Sequence, residues 1–240
     1  ETNVRRAQVY TEKAGINTVI LDGCEDIKQM TGNLAFSLSL YYGQMCTTPQ
    51  NIYIPADGID TPDGRVSFED TAGALIKALN WFLSEPARAA EVCGAIQSEA
   101  TTRRIESAAS SGATVLRASE PVENEHFPEA RTATPLVLQV DAADAKTFQR
   151  EMFGPIIYII KTSGTAESLS LASDGASQCG ALTCAMYSRD EKVIEDVVDT
   201  MTDAGVAVSC NLTGHIWVNQ SAAYSDFHVS GANPDGNATL

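Results

Sequence analysis

The sequence has no long apolar run and few basic residues. Its longest apolar stretches are interrupted by Gly, Ser or Asp, and none approaches the ~18 residues that a membrane span requires. It has 16 Lys and Arg against 31 Asp and Glu in 240 residues, and the net charge of −15 repels phosphate and anionic membrane surfaces. We therefore expect no nucleic-acid partner and no membrane partner.

Histidine is scarce, and the cysteines show no metal-binding spacing. The chain has only three histidines (His126, His215 and His228), and Cys179 and Cys184 stand five apart without further ligands nearby. A structural zinc site needs four ligands, so no metal is expected. Because a chain of this length with 44% hydrophobic residues can form a core without disulfides, its six cysteines are expected to be reduced thiols.

The chain also lacks an initiator Met and an apolar N-terminal segment. Residues 1–7 are polar and include two arginines, so no signal peptide is predicted and a cytoplasmic protein is expected. Because the sequence starts at Glu1, we expect it to be a piece of a longer protein. No Gly-x-Gly occurs in it, which excludes a dinucleotide-binding fingerprint of that type from this piece.

Strand-like and helix-like segments alternate along the chain. This alternation predicts parallel crossovers, and hence an α/β fold with a parallel sheet flanked by helices, in a single domain over residues 1–240. The loop-like stretch 56–65 is too short to separate domains. The predicted strands are 18–21, 51–54, 114–116, 135–140, 156–160, 181–187, 206–209 and 216–218, and the predicted helices cover 27–43, 67–82, 100–111 and 193–201.

The segment that most strongly indicates a catalytic site is Gly43-Gln44-Met45-Cys46-Thr47-Thr48-Pro49. A cysteine that follows a helix ending at Gly43 and precedes a Thr-Thr-Pro turn lies among backbone N–H groups. Such groups lower the pKa of a thiol and can donate to an oxyanion. The alternative is that Cys46 packs in the core as a small hydrophobic residue.

Several segments in the same order resemble the aldehyde dehydrogenase superfamily. Gly-Gln-x-Cys-Thr-x-Pro is similar to that family's nucleophile motif, and the resemblance extends over nearly the whole chain. The other segments are Glu12-Lys13-Ala14-Gly15, similar to the family's Glu-Leu-Gly-Gly, Glu151-Met152-Phe153-Gly154-Pro155, similar to Glu-x-Phe-Gly-Pro, Val218-Asn219, similar to a Val-Asn strand end, and Phe227-His228-Val229-Ser230-Gly231, similar to Phe-Lys-x-Ser-Gly.

The resemblance implies an oxidation of small aldehydes with NAD or NADP as cofactor. It implies that Cys46 attacks the carbonyl carbon and forms a thioester, and that Glu12 is the general base that activates water to hydrolyse it. It also implies that Glu151 holds the nicotinamide ribose and that Phe153 borders the ring. Most of the cofactor would be held by an N-terminal domain outside this chain, so the isolated chain is expected to be inactive.

The sequences of three segments most resemble one branch of this family, the aldehyde dehydrogenases of bacterial phenylacetic acid degradation. These segments are residues 10–15, 43–51, and 218–222 together with 225–228. The resemblance implies a ring-opened, CoA-linked semialdehyde as substrate and a homo-oligomeric parent protein. The chain departs from the family at Lys13 and Ala14, at Asn51, where many relatives carry Arg, and at Ser225-Asp226, which replaces a Gly-Gly pair.

Two other functions remain open from the residues. A thiol-dependent esterase or acyl-transfer module needs no cofactor for its acylation step, and a folded fragment could serve only to assemble with a partner. The presence of Glu151 and Phe153 favours the dehydrogenase over the esterase. Tyr41, Tyr42 and Trp217 are expected either to pack in the core or to line a substrate tunnel.

Overall fold

The computed structural model describes residues 11–12, 14–217 and 238–239, which form a seven-stranded sheet with helices on both faces. The spatial order is β10-β9-β2-β3-β8-β7-β6, and every neighbouring pair is parallel except β6 and β7. The predicted α/β class is therefore confirmed. The strands are β1 Thr11–Glu12, β2 Asn17–Leu21, β3 Pro49–Pro55, β4 Ile59–Thr61, β5 Gly64–Val66, β6 Thr114–Arg117, β7 Leu136–Asp141, β8 Ile156–Thr162, β9 Thr183–Tyr187, β10 Ala207–Cys210 and β11 Ala238–Thr239.

Helices connect the parallel strands. The first of them is followed directly by a short irregular segment, Leu40–Gly43, that leads into the Cys46 turn. Within the described part of the chain no helix is both long and apolar enough to cross a membrane. The helices are α1 Ile27–Ser39, α2 Phe68–Phe82, α3 Pro86–Cys93, α4 Glu99–Ala109, α5 Ala145–Phe148, α6 Thr165–Cys179 and α7 Glu191–Asp203.

The sheet is apolar on both faces, because alternate residues of each central strand enter two different clusters. In β2, Val19 and Leu21 pack in the cluster under α1 and α2, while Ile20 packs in the cluster on the opposite face. In β3 the same alternation places Ile52 and Tyr53 on opposite faces. Strands buried on both faces carry nearly continuous apolar runs, as the sequence predicted.

Side-chain caps fix where two of these helices begin. The predicted start at Ser67 is confirmed, since its Oγ accepts a hydrogen bond from the Asp70 backbone N–H at 3.0 Å. At α1, Asp26 Oδ1 accepts from the Lys28 and Gln29 backbone N–H groups at 2.8 and 3.1 Å. These bonds satisfy N–H groups that have no partner within the helix.

Four local predictions are wrong or incomplete. The stretch 56–65, predicted as a loop, contains strands of the antiparallel pair β4–β5, and β6 is antiparallel to β7 rather than parallel. Helices α3, α5 and α6 were not predicted. In the case of α6 the reason is that it consists largely of Ser, Ala and Gly and shows little apolar periodicity. Ile216 and Trp217 lie outside any strand, and Val218 is outside the described residues.

Candidate active site

Three of the singled-out segments meet at the amino end of three neighbouring strands. Cys46 precedes β3, Glu151 precedes β8 and Gly15 precedes β2, and these strands lie side by side in the order β2-β3-β8. Because parallel strands begin at the same edge of a sheet, the segments before them converge. Gly15, Cys46, Glu151 and Phe153 line one small cleft there. Open α/β sheets commonly bind ligands at the carboxyl ends of their strands, so this site uses the opposite edge.

A left-handed turn directs the chain from α1 into the thiol loop. Tyr41, Tyr42 and Gly43 have φ of 51°, 53° and 65°. This region is costly for residues with a Cβ, and such strain is concentrated at functional sites. Tyr42 is fully buried, while Tyr41 is 54% exposed. Of the two roles expected for these tyrosines, Tyr42 therefore packs in the core.

Cys46 lies in a tight turn and is half-buried. The turn is closed by the Thr48 N–H, which donates to the Met45 carbonyl at 3.0 Å. The neighbouring Gln44 fixes the approach to the turn: its Nε2 donates to the Ala95 carbonyl at 3.0 Å, and its Oε1 accepts from the Gln97 N–H at 2.9 Å. The backbone around Cys46 is thus held in place, while its side chain is partly accessible.

The other cysteines have different surroundings. All six are present as thiols. Burial raises the pKa of Cys24 to about 11 and the pKa values of Cys93 and Cys184 to about 12, and it also raises the pKa of Cys210. These four thiols are poor nucleophiles near neutral pH, because the reactive form is the thiolate.

The segment with Glu151 presents a carboxylate and an aromatic ring to the same cleft. Glu151 is exposed, and its Oε1 accepts a hydrogen bond from the Gly15 backbone N–H at 3.1 Å. Phe153 is 37% exposed, and its carbonyl accepts a hydrogen bond from the Arg104 guanidinium. A carboxylate and an exposed ring that line the same cleft as the thiol are groups that could hold the ribose and the nicotinamide of a dinucleotide, respectively.

Glu12 lies on β1, outside the seven-stranded sheet. Its backbone is paired with Ala238 of β11. Gly15, from the same segment, contacts Glu151, so the segment containing Glu12 reaches the cleft. The role of Glu12 as general base stays a prediction. Three other parts of the resemblance lie outside the described residues: Lys13, Val218-Asn219 and residues 227–231, which include His228.

Two buried carboxamides that sequence reasoning missed connect these segments. Asn17 donates to the Cys46 carbonyl at 2.7 Å, and Gln50 accepts from the Met152 N–H at 2.6 Å. Both side chains are almost fully buried, at 3% and 6% exposure. No local pattern identifies such residues, and the one available signal was a polar residue at the start of a buried strand.

Within the described ranges no group of three or more His, Cys, Asp or Glu side chains could hold a metal ion.

Two other features lie apart from the cleft. A larger cavity of about 760 Å³ lies between α3 and the loop 123–130, and none of the predicted site residues lines it. Trp217 stacks on Phe36 with ring centroids 4.1 Å apart.

The comparisons with known proteins agree on one family. The model of the aldehyde dehydrogenase family matches residues 2–232. The crystal structure of an NAD-dependent aldehyde dehydrogenase from Burkholderia multivorans is 50% identical and covers 97% of this chain and 42% of its own, with a TM-score of 0.90. The 4,4'-diaponeurosporen-aldehyde dehydrogenase of Staphylococcus aureus is 23% identical over 205 residues, which are 85% of this chain and 41% of that protein. The chain thus spans about two fifths of the length of both relatives.

Proposed function

The chain belongs to the aldehyde dehydrogenase family, and from this we propose that the protein containing it oxidises an aldehyde to a carboxylic acid with NAD or NADP. One observation supports the proposal most: the Cys46 thiol, the Glu151 carboxylate and the Phe153 ring share one cleft. An esterase or acyl-transfer module would need only the thiol. The nearby carboxylate and ring therefore favour the dehydrogenase.

In the proposed reaction the Cys46 thiolate attacks the aldehyde carbonyl carbon, and a thioester remains on the sulfur after the substrate's hydride has left. A nicotinamide held in the cleft would supply the hydride acceptor. Glu151 and Phe153 would orient its ribose and ring. Glu12 then accepts a proton from the water that hydrolyses the thioester, a task for which a partly desolvated carboxylate is suited.

Kinetics of the complete protein test this proposal. With an aldehyde and either cofactor, Cys46→Ala should abolish formation of reduced cofactor. Glu151→Gln should raise the KM for the cofactor by about tenfold or more, since a hydrogen bond to a charged group is lost. Glu106→Gln, a change to an exposed carboxylate on α4, is the matched control. An active Cys46→Ala variant would rule the proposal out.

As substrate we propose a ring-opened, CoA-linked semialdehyde of phenylacetic acid degradation. The support is the sequence of residues 10–15, 43–51, 218–222 and 225–228, which resembles that branch. The complete protein should then show a much higher kcat/KM for the CoA-linked semialdehyde than for the same semialdehyde without CoA. Equal values would contradict the assignment.

We also propose that the chain alone is inactive and that most of the cofactor is held by another domain of the parent protein. Two contacts, from Glu151 and Phe153, do not offset the ordering cost of binding a dinucleotide. Calorimetric titration of this chain with NAD should therefore show no micromolar binding. We further propose that the parent protein is cytoplasmic and homo-oligomeric. Sedimentation of the complete protein would test whether it forms oligomers.

A further inference from the structure

Two buried carboxamides flank the thiol turn, one on each side. Asn17 is the first residue of β2, and Gln50 is the second residue of β3. A buried amide without partners is costly, so the hydrogen bonds of these side chains indicate what they hold in place. Neither residue contains an acid, a base or a nucleophile, and both side-chain amide groups donate to backbone carbonyls.

Asn17 connects the thiol turn to the start of β9. Its Nδ2 donates to the carbonyl of Cys46 at 2.7 Å and to that of Thr48 at 3.1 Å. Its Oδ1 accepts from the backbone N–H groups of Leu182 and Thr183 at 2.9 and 3.0 Å. An amide has two donors and one oxygen with two lone pairs, so the capacity of Asn17 is fully used.

Gln50 holds the Glu151 segment on both sides of that residue. Its Nε2 lies 3.1 Å from the Arg150 carbonyl, and its Oε1 accepts from the Met152 N–H at 2.6 Å. The Phe148 carbonyl, 3.2 Å from the same Nε2, also accepts from Asn51 Nδ2 at 3.1 Å. The backbone on either side of Glu151 is thus fixed by a side chain from the strand that follows Cys46.

We propose that these two residues position the two halves of the site separately: Asn17 positions the Cys46 thiol, and Gln50 positions Glu151 for the cofactor. The inference rests on the proposed function, in which the thiol attacks the substrate and Glu151 contacts the ribose. Asn17 has no hydrogen bond to the Glu151 segment, and Gln50 has none to the Cys46 turn, among the bonds described above. We therefore expect each residue to affect mainly one half of the reaction.

Hydrolysis of an activated ester separates the two halves, because it needs the thiol but not hydride transfer. In the complete protein, Gln50→Met should raise the KM for the cofactor by about 10–100-fold, the range that a misplacement of about 1 Å can cause. The same variant should hydrolyse p-nitrophenyl acetate at a rate within about twofold of the unchanged protein. Met is chosen because it matches Gln in length and cannot form the hydrogen bonds.

Asn17→Leu should give the converse result. Ester hydrolysis and the rate of Cys46 alkylation should both fall by about tenfold or more, while the KM for the cofactor changes little. Gln29→Met, on the exposed face of α1, is the matched control and should leave all three quantities unchanged. If either buried variant fails to fold, Gln50→Glu and Asn17→Asp keep the volume and the acceptor but lose the amide donors, and they should show the same two patterns.

The outcomes separate the positioning roles from the proposed function. If Gln50→Met and Asn17→Leu reduce both activities to the same extent, or reduce neither, the separate roles are wrong. If the unchanged protein hydrolyses the ester but reduces neither cofactor with any aldehyde, the proposed dehydrogenase function fails. In that case the effect of Asn17→Leu on the alkylation rate of Cys46 still decides the role of Asn17.

Discussion

Gly43 and Gly154 meet backbone to backbone at the centre of the candidate site. A Cβ placed on Gly43 would lie 2.5 Å from the Gly154 carbonyl oxygen and 2.8 Å from its carbonyl carbon. Gly43 leads into the Cys46 turn, and Gly154 follows Phe153, so this contact sets how closely the thiol turn and the Glu151–Phe153 segment approach each other. Gly43 also has φ of 65°, which a residue with a Cβ adopts only with strain.

Gly43→Ala should therefore lower the free energy of unfolding by about 1–3 kcal/mol, through left-handed strain together with the clash. Gly32→Ala is the matched control, because Gly32 lies on an exposed face of α1 and a Cβ there meets nothing within 4 Å. That control should stabilise the chain by about 0.5–1 kcal/mol through helix propensity. Urea unfolding measures both changes, and a Gly43→Ala variant as stable as the unchanged chain would contradict the close contact.

Cys46 should be the most reactive thiol of the chain. Near pH 8 a buried thiol with a pKa of about 11, such as Cys24, is thiolate in only about one molecule in a thousand. Limiting iodoacetamide followed by peptide mapping should therefore label Cys46 first. Cys179 is the stringent internal comparison, because it is also half-buried. Earlier labelling of Cys179 or Cys93 would count against the assignment of Cys46 as nucleophile.

In the complete protein, Glu12→Gln and Cys46→Ala should fail at different steps. Without Cys46 no reduced cofactor can form. Without the Glu12 carboxylate the thiol still attacks, so a burst of about one equivalent of reduced cofactor per site should precede turnover that is slower by ~10²–10⁴-fold. Stopped-flow absorbance distinguishes the two. Loss of the burst in Glu12→Gln would mean that Glu12 activates the thiol rather than water.

The stability of the fold should decrease at alkaline pH. Burial raises the pKa values of Cys93 and Cys184 to about 12, whereas in the unfolded chain these thiols ionise near pH 9. Between these values the unfolded chain releases protons that the folded chain retains, so the free energy of unfolding falls as pH rises, by at most about 1.4 kcal/mol per pH unit for each thiol.

Unfolding in urea at pH 8, 9 and 10, in the presence of a reductant, measures this slope. Cys93→Ala removes one of the buried thiols, so its stability should depend less steeply on pH than that of the unchanged chain. The comparison uses the slope alone, because the substitution also leaves a small cavity that lowers stability at every pH. Identical slopes would show that Cys93 does not contribute.

The sequence by itself determined the fold class and the segments that form the candidate site. Apolar runs such as 156–160 belong in strands buried on both faces. The start of α2 at Ser67 follows from the pairing of this capping residue with Asp70, three positions further on. These signals are local, so they can be read from neighbouring residues. Cys46, Glu151 and Phe153 could likewise be singled out, because each lies in a short segment resembling a known one.

Only the tertiary structure decided how these segments fit together. The antiparallel pairing of β6, the contact of Gly43 with Gly154 and the hydrogen bonds of Asn17 and Gln50 join residues far apart in the chain. Gln50 and Met152, for example, are separated by 102 positions. Pairings of this kind depend on which strands become neighbours and in what register, and these are set by packing the whole sheet between its two layers of helices.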